Sequence, residues 1–587
     1  MKQHSPHSGS SGLKTFLLAA AALLAAAGCS IPYSEGLDAK VNVCSTDGDC
    51  PDGSVCATVA DESTCVARST DLSTVVFEIR PAPGGRSPSS PSLVEVTSFP
   101  SGGANHVVDL DLDLPPHVDV SPGQVFLPCA GETPVPAKVT FQPVPGLAGL
   151  LEGQKYEADS ILDEDGQEGI RVQIPEGLYD LYIQPSPDPA LTPECTTAPP
   201  IFMPGWNIAN AKGIVAQAAA PLLLKGTLKL SQKEDFTQWF MEVVEPYRGQ
   251  TISEVIQPQQ SGIALEVPFQ LSFDWTARKK FMPILRLRPP QGSGKPVIHW
   301  SLDAVALQGV IADEVPVTLD VSGIDTQPRP TSGQVLHDSK PVAATVTLRS
   351  TSISKVELAR FETVVETDEF GHFEAALPPG IYQVIARPHK EGLALGLTTW
   401  DIAQGTDCFC GNSVTVPAAT TLAGSVSTPS GEPADVEVRL TPAATGGLPY
   451  LGTVSTTEVQ PRPASALSQN GQFQMSVDPG LFDLSIVAPS GAGYPWLVRP
   501  NQPISGSQTG GAPTVVSLEP FELQNPVLVR GLVRDPYGIT LPGATIRAWI
   551  AVGEPENSQL PASAVQIGEA VADESGAYVM LLPPSIQ

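Results

Sequence analysis

The chain has 587 residues with 62 acidic and 33 basic side chains, which gives a formal charge of −29. It is too long for one hydrophobic core, so several domains are expected, and its acidity argues against nucleic acid as a partner. Its 52 glycines and 60 prolines favour turns and strands, while 41% hydrophobic residues suffice for packed cores.

The N-terminus has the form of an export signal. Lys2 and Lys14 precede an apolar run over residues 15–27, which is too short for a good membrane span. Gly28 and Cys29 follow, and together they resemble the lipobox of bacterial lipoproteins, although Ala26 stands where that motif usually has leucine.

The lipobox resemblance implies removal of residues 1–28 and acylation of Cys29, which would anchor the chain to a membrane. Ser30, rather than aspartate, follows the cysteine and favours the outer membrane. The alternative is an ordinary cleaved signal in which Cys29 occurs by chance.

After a tether over residues 29–43, four cysteines are concentrated in residues 44–67. So short a segment needs covalent cross-links, and it resembles the small cysteine-rich knots of surface proteins in myxobacteria and their relatives. Three disulfide pairings are open, of which we favour the interleaved 44–56 and 50–65 over zinc binding. The four candidates are Cys44, Cys50, Cys56 and Cys65.

Two strands with alternating hydrophobicity follow, over residues 74–80 and 108–114, and we assign them to a first β-sandwich over residues 70–205. Asp109, Asp111 and Asp113 share one face of the second strand. They form either a cation site or, as we prefer, a solvated outer face opposite apolar residues.

One hairpin phrase, a short strand followed by a proline-containing turn, occurs four times and indicates an array of similar modules. Each copy is preceded by a strand that begins Gly-x-Val. The phrases start near Ile170, Phe373, Phe473 and Tyr578, and the glycines are Gly123, Gly333, Gly424 and Gly531.

This pattern resembles the carboxypeptidase regulatory-like domain, a transthyretin-like β-sandwich of Greek-key type related to collagen-adhesin B-type modules. The resemblance implies an all-β fold of tandem sandwiches after the signal and the disulfide-rich knot. The last three copies occupy residues 326–417, 418–522 and 523–587, and residues 206–325, which lack the phrase, form an intervening β-sandwich.

The fourth copy ends at Gln587, where the strand after the turn would begin. An unpaired edge beside Tyr578, Met580 and Leu582 is therefore expected. Either another chain donates a strand to it, or the sequence is truncated, which we favour.

Residues with catalytic chemistry do not assemble into a set: the histidines are scattered, and neither a zinc-protease motif nor a nucleophile elbow occurs. We therefore expect no enzyme activity, no cofactor and no metal. Cys129 and Cys195 are expected to pair. Cys408 and Cys410 form either a strained redox pair or a locally closed structural one.

The function expected from these features is that of a lipid-anchored, cell-surface structural or interaction protein built as a stalk. The alternative is a carbohydrate-binding surface protein, because Tyr494 and Trp496 on a loop would suit stacking against a sugar. Core packing is the commoner role for such aromatics. Candidate partners are the membrane and surface polysaccharides or proteins.

Overall fold

The structure is a computed structural model of the full chain. It describes residues 54–59, 62–67, 70–71, 75–83, 92–96, 107–144, 155–162, 168–188, 190, 192, 194–195, 198–208, 215–230, 238–246, 248–258, 266–276, 281–302, 314–321, 325–353, 359–403, 405, 407–443, 459–489, 491–506, 514–552 and 563–586. Within these ranges every regular element is a strand, except for a short 3₁₀ turn over Pro128–Ala130. The expected all-β class is confirmed.

The chain divides into two units at residue 68, and of the first unit the structure describes residues 54–59 and 62–67. The first unit contains an antiparallel hairpin of β1 (Ser54–Val59) and β2 (Glu62–Ala67), whose register places the backbone of Cys56 opposite that of Cys65. The signal residues 1–28, Cys29, Cys44 and Cys50 lie outside the described residues, so acylation and the disulfide pairing of the knot stay predictions.

The second unit, residues 69–587, begins with five strands that belong to sheets formed with strands from the other end of the chain. They are β3 (Thr70–Asp71), β4 (Val75–Arg80), β5 (Ser92–Val96), β6 (Val107–Asp109) and β7 (Leu112–Asp113). They do not join the first sandwich, contrary to the sequence assignment of residues 70–205.

The first sandwich starts instead at β8 and is one seven-stranded sheet in the order β13-β12-β9-β10-β11-β8-β14. Its strands are β8 (His117–Phe126), β9 (Ala137–Pro143), β10 (Tyr156–Leu162), β11 (Glu168–Pro175), β12 (Leu178–Pro185), β13 (Ile201–Asn207) and β14 (Val215–Gln217). The first half of β10 pairs with β9 and the second half with β11, so this strand passes from one layer to the other.

The intervening region consists of a three-stranded sheet, β17-β15-β20, and a second sheet, β16-β18-β19. The strands are β15 (Leu222–Leu230), β16 (Phe240–Val244), β17 (Glu266–Phe273), β18 (Ile284–Arg288), β19 (Val297–Ser301) and β20 (Glu314–Val321). The apolar residues between positions 236 and 244 also have the spacing of a helix, but residues 240–244 form a strand.

The second repeat packs a sheet of β21, β22, β26 and β29 against the sheet β25-β23-β27-β28, and its β24 joins β19. Its strands are β21 (Arg329–His337), β22 (Lys340–Pro341), β23 (Ala344–Ile353), β24 (Ala359–Arg360), β25 (Glu362–Glu366), β26 (His372–Leu377), β27 (Gly380–Pro388), β28 (Gly396–Ile402) and β29 (Phe409–Thr415).

The third repeat has the same plan, with β33, β30, β36 and β37 in one sheet and the order β32-β31-β34-β35 in the other. Its strands are β30 (Thr420–Ser427), β31 (Glu437–Pro442), β32 (Ala464–Leu467), β33 (Gln472–Val477), β34 (Gly480–Val487), β35 (Leu497–Ile504), β36 (Val515–Ser517) and β37 (Phe521–Glu522).

The two repeated sequence features are cross-strand partners. The glycine of each Gly-x-Val strand lies opposite the first large residue of the hairpin phrase: the pairs are Gly123–Ile170, Gly333–Phe373, Gly424–Phe473 and Gly531–Tyr578. A Cβ at Gly424 would come within 2.5 Å of the Phe473 ring, and one at Gly333 within 2.6 Å of the Phe373 ring. At Gly333 and Gly424 glycine is required because the aromatic ring lies over the facing backbone.

The fourth repeat contributes β38 (Val527–Arg534), β39 (Thr545–Val552), β40 (Ser563–Val571), β41 (Ala577–Leu582) and β42 (Ser585–Ile586). Its sheets have the orders β40-β39-β4-β5 and β41-β38 with β6 and β7. The early strands β4, β5 and β6–β7 thus take the positions that β27, β28 and β29 hold in the second repeat, and in the same chain order.

The prediction of an unpaired edge in the fourth repeat is therefore wrong. Strand β4 pairs with the edge of β39. The side chains of Tyr578, Met580 and Leu582 are buried in a core shared with residues 75–114. The physical reason is that strands of the same chain, far away in sequence, complete the sheet. We call residues 75–114 the completing segment and the module made of residues 75–114 and 527–586 the terminal module.

Candidate functional site: the completed module and the domain junctions

Strand β4 supplies the apolar part of the completing segment. It pairs with β39 in an antiparallel register that runs from Thr545 opposite Arg80 to Trp549 opposite Val76. Val75, Phe77 and Ile79 alternate along the strand and are fully buried in the core of the terminal module. The period-2 pattern that predicted this strand is the pattern of an inserted core strand.

A buried carboxylate lies on the other face of the same strand. Glu78 is fully buried, and its Oε1 accepts a 2.7 Å hydrogen bond from Nε of Arg80. Nε1 of Trp549, on β39, donates to the other oxygen at 3.2 Å. Arg80, in the completing segment, compensates the charge, and Trp549, in the terminal repeat, supplies a neutral hydrogen bond to the same carboxylate.

The three alternate aspartates form an ion-pair ladder with β38. Asp109 contacts Arg530 at 2.6 Å, while Asp111 and Asp113 contact Arg534 at 2.6 and 3.3 Å. The Leu532 amide donates to Asp111 at 2.9 Å. That amide first, and then Arg534, lower the pKa of Asp111.

The aspartates thus lie on the exposed outer face that we preferred, and two arginine side chains supply the positive charge. Among the described residues, no group of three or more metal-ligating side chains could hold a metal ion.

A close backbone approach fixes the register between β38 and the completing segment. A Cβ on Gly531 would overlap the carbonyl oxygen of Leu110, which lies between β6 and β7. Tyr578 donates its hydroxyl to that same oxygen at 2.9 Å. In the second and third repeats the equivalent glycine faces an aromatic ring, whereas here it faces the completing segment.

The junction between the second and third repeats is held by a buried ion pair. The Asp478 side chain is fully buried, and Arg462 contacts both of its oxygens, at 2.7 and 2.9 Å. Both residues belong to the third repeat. The Leu395 amide of the second repeat donates to Asp478 at 3.1 Å, and Arg462 donates to the second-repeat carbonyls of Pro388 and Leu393 at 3.1 and 2.6 Å.

A similar arrangement joins the first sandwich to the intervening one. Arg248 forms a close ion pair with Asp180 and donates to the Pro143 carbonyl at 3.3 Å, both in the first sandwich. The hydroxyl of Tyr182, in the first sandwich, lies 3.5 Å from the buried carboxylate of Glu245, in the intervening region. Both junctions therefore contain charged hydrogen bonds between neighbouring domains.

The aromatic residues proposed for sugar binding lie in packed positions. Tyr494 is half-buried against the core of the third repeat. Trp496 is half-buried against the core of the terminal module, and the guanidinium of Arg439 lies 5.6 Å from its ring centroid. Trp496 therefore takes part in the junction between the third repeat and the terminal module.

Two disulfides lie in the second unit of the chain, and both join cysteines that the sequence suggested as partners. Cys129 and Cys195 form a disulfide with their Cα atoms 5.3 Å apart, and it closes a loop within the first sandwich. Cys408 and Cys410 are joined to each other at an exposed position beside Phe409. In the part of the chain that the structure describes, no helix is long and apolar enough to cross a membrane.

Sequence reasoning did not find the completing segment, although two signals for it were present. The fourth repeat lacked a strand after its turn, and two strands upstream of Gly123 were surplus to the first repeat. Together these two signals predict that the strands upstream of Gly123 pair with the fourth repeat. The alternating Asp109, Asp111 and Asp113 also complement Arg530 and Arg534 in charge.

No protein-family model matches the sequence, and no curated protein matches it. Among solved structures, the chain is similar to a streptococcal ancillary pilin at 11% identity, covering 51% of this chain and 98% of that one, with a TM-score of 0.19.

It is also similar to the shaft pilin SpaA from Lactobacillus rhamnosus GG at 6% identity, covering 34% of this chain and 98% of that chain, with a TM-score of 0.14. The pilus adhesin SpaC from the same organism matches at 10% identity over 67% of this chain and 56% of that chain, with a TM-score of 0.17. With scores this low the comparisons carry no functional argument, and the fold class rests on the strand pairing itself.

Proposed function

We propose that the chain is a non-enzymatic structural protein of the bacterial cell surface, anchored by a lipid on Cys29 and built from a series of β-sandwich domains. The observation that carries the proposal is how neighbouring domains are joined. Arg462 and Asp478 make charged hydrogen bonds across one junction, and Arg248 makes them across another. Domains connected only by flexible linkers lack such contacts, so these junctions suit a part that bears load.

The lipid anchor is tested by fractionation of cells that express the wild type and Cys29→Ser. We expect the wild type in the membrane fraction, and the variant as a soluble protein or an unprocessed precursor. Wild-type protein in a detergent-free soluble fraction, with an unmodified N-terminus, would exclude the anchor. Outer-membrane placement is tested in the same cells by protease added from outside.

Carbohydrate binding is the second candidate from the sequence, but the positions of Tyr494 and Trp496 favour packing. We therefore expect that surface polysaccharide does not change the fluorescence of Trp496, so the wild type and Trp496→Ala should respond alike. Instead, this variant should increase protease cleavage between the third repeat and the terminal module, because Trp496 packs at that junction. A saturable fluorescence response to surface polysaccharide, lost in the variant, would establish the glycan function.

A further inference from the structure

In the described residues, the completing segment and the rest of the terminal module meet through strand pairing, side-chain packing, hydrogen bonds and ion pairs. Their partners lie more than 400 residues apart: Arg530 contacts Asp109 across 421 residues of sequence. Each of these contacts, from the β4–β39 register to the aspartate–arginine ladder, involves only residues of the completing segment and of residues 527–586. None of them requires that both sides belong to the same copy of the chain.

The hinge that attaches the completing segment to the first sandwich is very short. Leu114 is buried in the core of the terminal module, whereas the Pro116 carbonyl accepts a hydrogen bond from Glu176 of the first sandwich at 3.0 Å. Only Pro115 lies between them. Consecutive prolines favour an extended backbone, and short hinges favour exchange of an element between copies.

Closure within one chain also depends on every intervening domain. The completing segment precedes the first sandwich, and the rest of the terminal module follows the third repeat, so the chain passes through four domains before the two sides meet. A change of angle at any junction separates them. The effective concentration of one side for the other falls with such a change, and a neighbouring copy then competes.

We propose that residues 75–114 are an exchangeable strand donor that completes the terminal module of a second copy of this chain. The donor keeps the register of Arg80 opposite Thr545 and the ion pairs of Asp109 and Asp111 with Arg530 and Arg534. Pairing between copies uses the same contacts as pairing within one copy. The inference rests on the proposed function in one respect: chains anchored in a common membrane are crowded, and crowding favours exchange.

The test uses two variants of the full-length chain purified in detergent, one carrying Arg80→Cys and the other Thr545→Cys. Arg80 is exposed, Thr545 is half-buried, and the two are Cα partners across β4 and β39. Every Arg80→Cys chain also carries Glu78→Gln, so that no buried charge is left without its partner. The variants are mixed at high protein concentration, warmed, cooled and oxidised. Where the segment of one copy pairs with the module of the other, the two thiols lie opposite each other and a disulfide links the two chains.

The second repeat offers a matched control. Thr345 lies opposite Arg387 across β23 and β27, strands that one continuous module contains. A mixture of Thr345→Cys and Arg387→Cys chains has the same residue types on the same kind of strand pair, but no detachable segment. It also reports thiol exchange with the native cysteines.

We expect the linked two-chain species in the Arg80→Cys and Thr545→Cys mixture to exceed that in the control mixture at least about tenfold, and to grow with protein concentration. A double variant, Arg80→Cys with Thr545→Cys, should cross-link within one chain on dilution and between chains on concentration. Equal amounts in both mixtures, or cross-linking of the double variant within single chains at every concentration, would overturn the proposal. Cell fractionation tests the surface location separately, so each can fail without the other.

Discussion

At the scale of single residues, the side chains most sensitive to substitution are the buried charges at the domain junctions. Asp478 is fully buried, and Arg462 supplies its compensating charge together with two hydrogen bonds to the second repeat. Removing the arginine leaves a buried carboxylate without its partner.

Arg462→Met should therefore lower the free energy of unfolding of the second and third repeats by about 3 kcal/mol. The variant should also be cleaved faster by protease near the junction. The control is Arg349→Met: Arg349 forms an exposed pair with Glu362 inside the second repeat and should cost less than about 1 kcal/mol. Equal losses in the two variants would show that the junction pair contributes nothing special.

A second residue-scale prediction concerns pH. Burial lowers the pKa of His299 to about 4, and the positive charges of Arg286 and Arg360 act in the same direction. The folded chain holds this imidazole neutral, whereas the unfolded chain protonates it below its ordinary pKa of 6.5. The unfolded state thus binds more protons, so stability is complete above pH 6.5 and decreases as the pH falls toward 4.

His299→Gln should flatten that dependence. We expect the wild type to lose up to about 3 kcal/mol between pH 6.5 and 4 relative to the variant, measured by urea unfolding at a series of pH values. Asp274 changes the stability in the opposite sense. Burial raises its pKa to about 6, so the stability that its protonated form contributes is lost as the pH rises through that value. Identical pH profiles for the wild type and His299→Gln would contradict the buried neutral imidazole.

At the scale of elements, β4 decides whether the terminal module folds. Its buried face supplies Val75, Phe77 and Ile79, and its other face supplies Glu78 for Trp549. The aspartate–arginine ladder of β6 and β7 is exposed, so each pair contributes at most about 1 kcal/mol. The apolar strand therefore provides the stability, and the ladder and Gly531 fix the register.

Phe77→Ala should destabilise the terminal module by about 3–5 kcal/mol because it leaves a cavity in the core. Hydrogen exchange should accelerate together in residues 75–114 and 527–582, since they form one folding unit. The matched control is Val579→Ala on β41, which is exposed and should change stability by less than about 0.5 kcal/mol. Faster exchange in residues 75–80 alone would contradict the shared unit.

At the scale of the whole molecule, residues near the two ends of the described chain form one module. Strand β3 pairs with β42, and β4 to β7 then complete the two sheets of the fourth repeat. This arrangement corresponds to a module whose second half has been moved to the front of the sequence. The four domains between the halves follow in chain order.

A chain that begins at residue 115 should therefore have a protease-sensitive region at residues 527–586, although its deletion lies at the other end of the sequence. Moving residues 70–114 behind Gln587 through a glycine–serine linker should restore protection, because the transferred strands regain the chain order of β27, β28 and β29. Limited proteolysis with mass spectrometry distinguishes the two chains. Equal resistance in both would show that the fourth repeat folds without the completing segment.

The sequence by itself determined the fold class, the repeated units and the pairing inside each unit. Period-2 strands, proline–glycine turns and the spacing of Gly333 to Phe373 or Gly424 to Phe473 are local, and local patterns select hairpins and sandwiches. The pairing of Cys129 with Cys195 also followed from their placement around one unit. The apolar spacing around residues 240–244 fits both a helix and a strand, and the β-rich sequence on either side favours the strand that the structure forms.

Only the tertiary structure decided which strands complete the fourth repeat and which residues lock the junctions. Strand β4 has the same alternation whether it pairs with its neighbour in sequence or with β39, because hydrophobic periodicity specifies a face and not a partner. Likewise, nothing local distinguishes Asp478 from a solvated aspartate or Trp496 from a sugar-binding tryptophan. Their roles arise where two domains meet, and the chain positions that meet there are set by long-range packing.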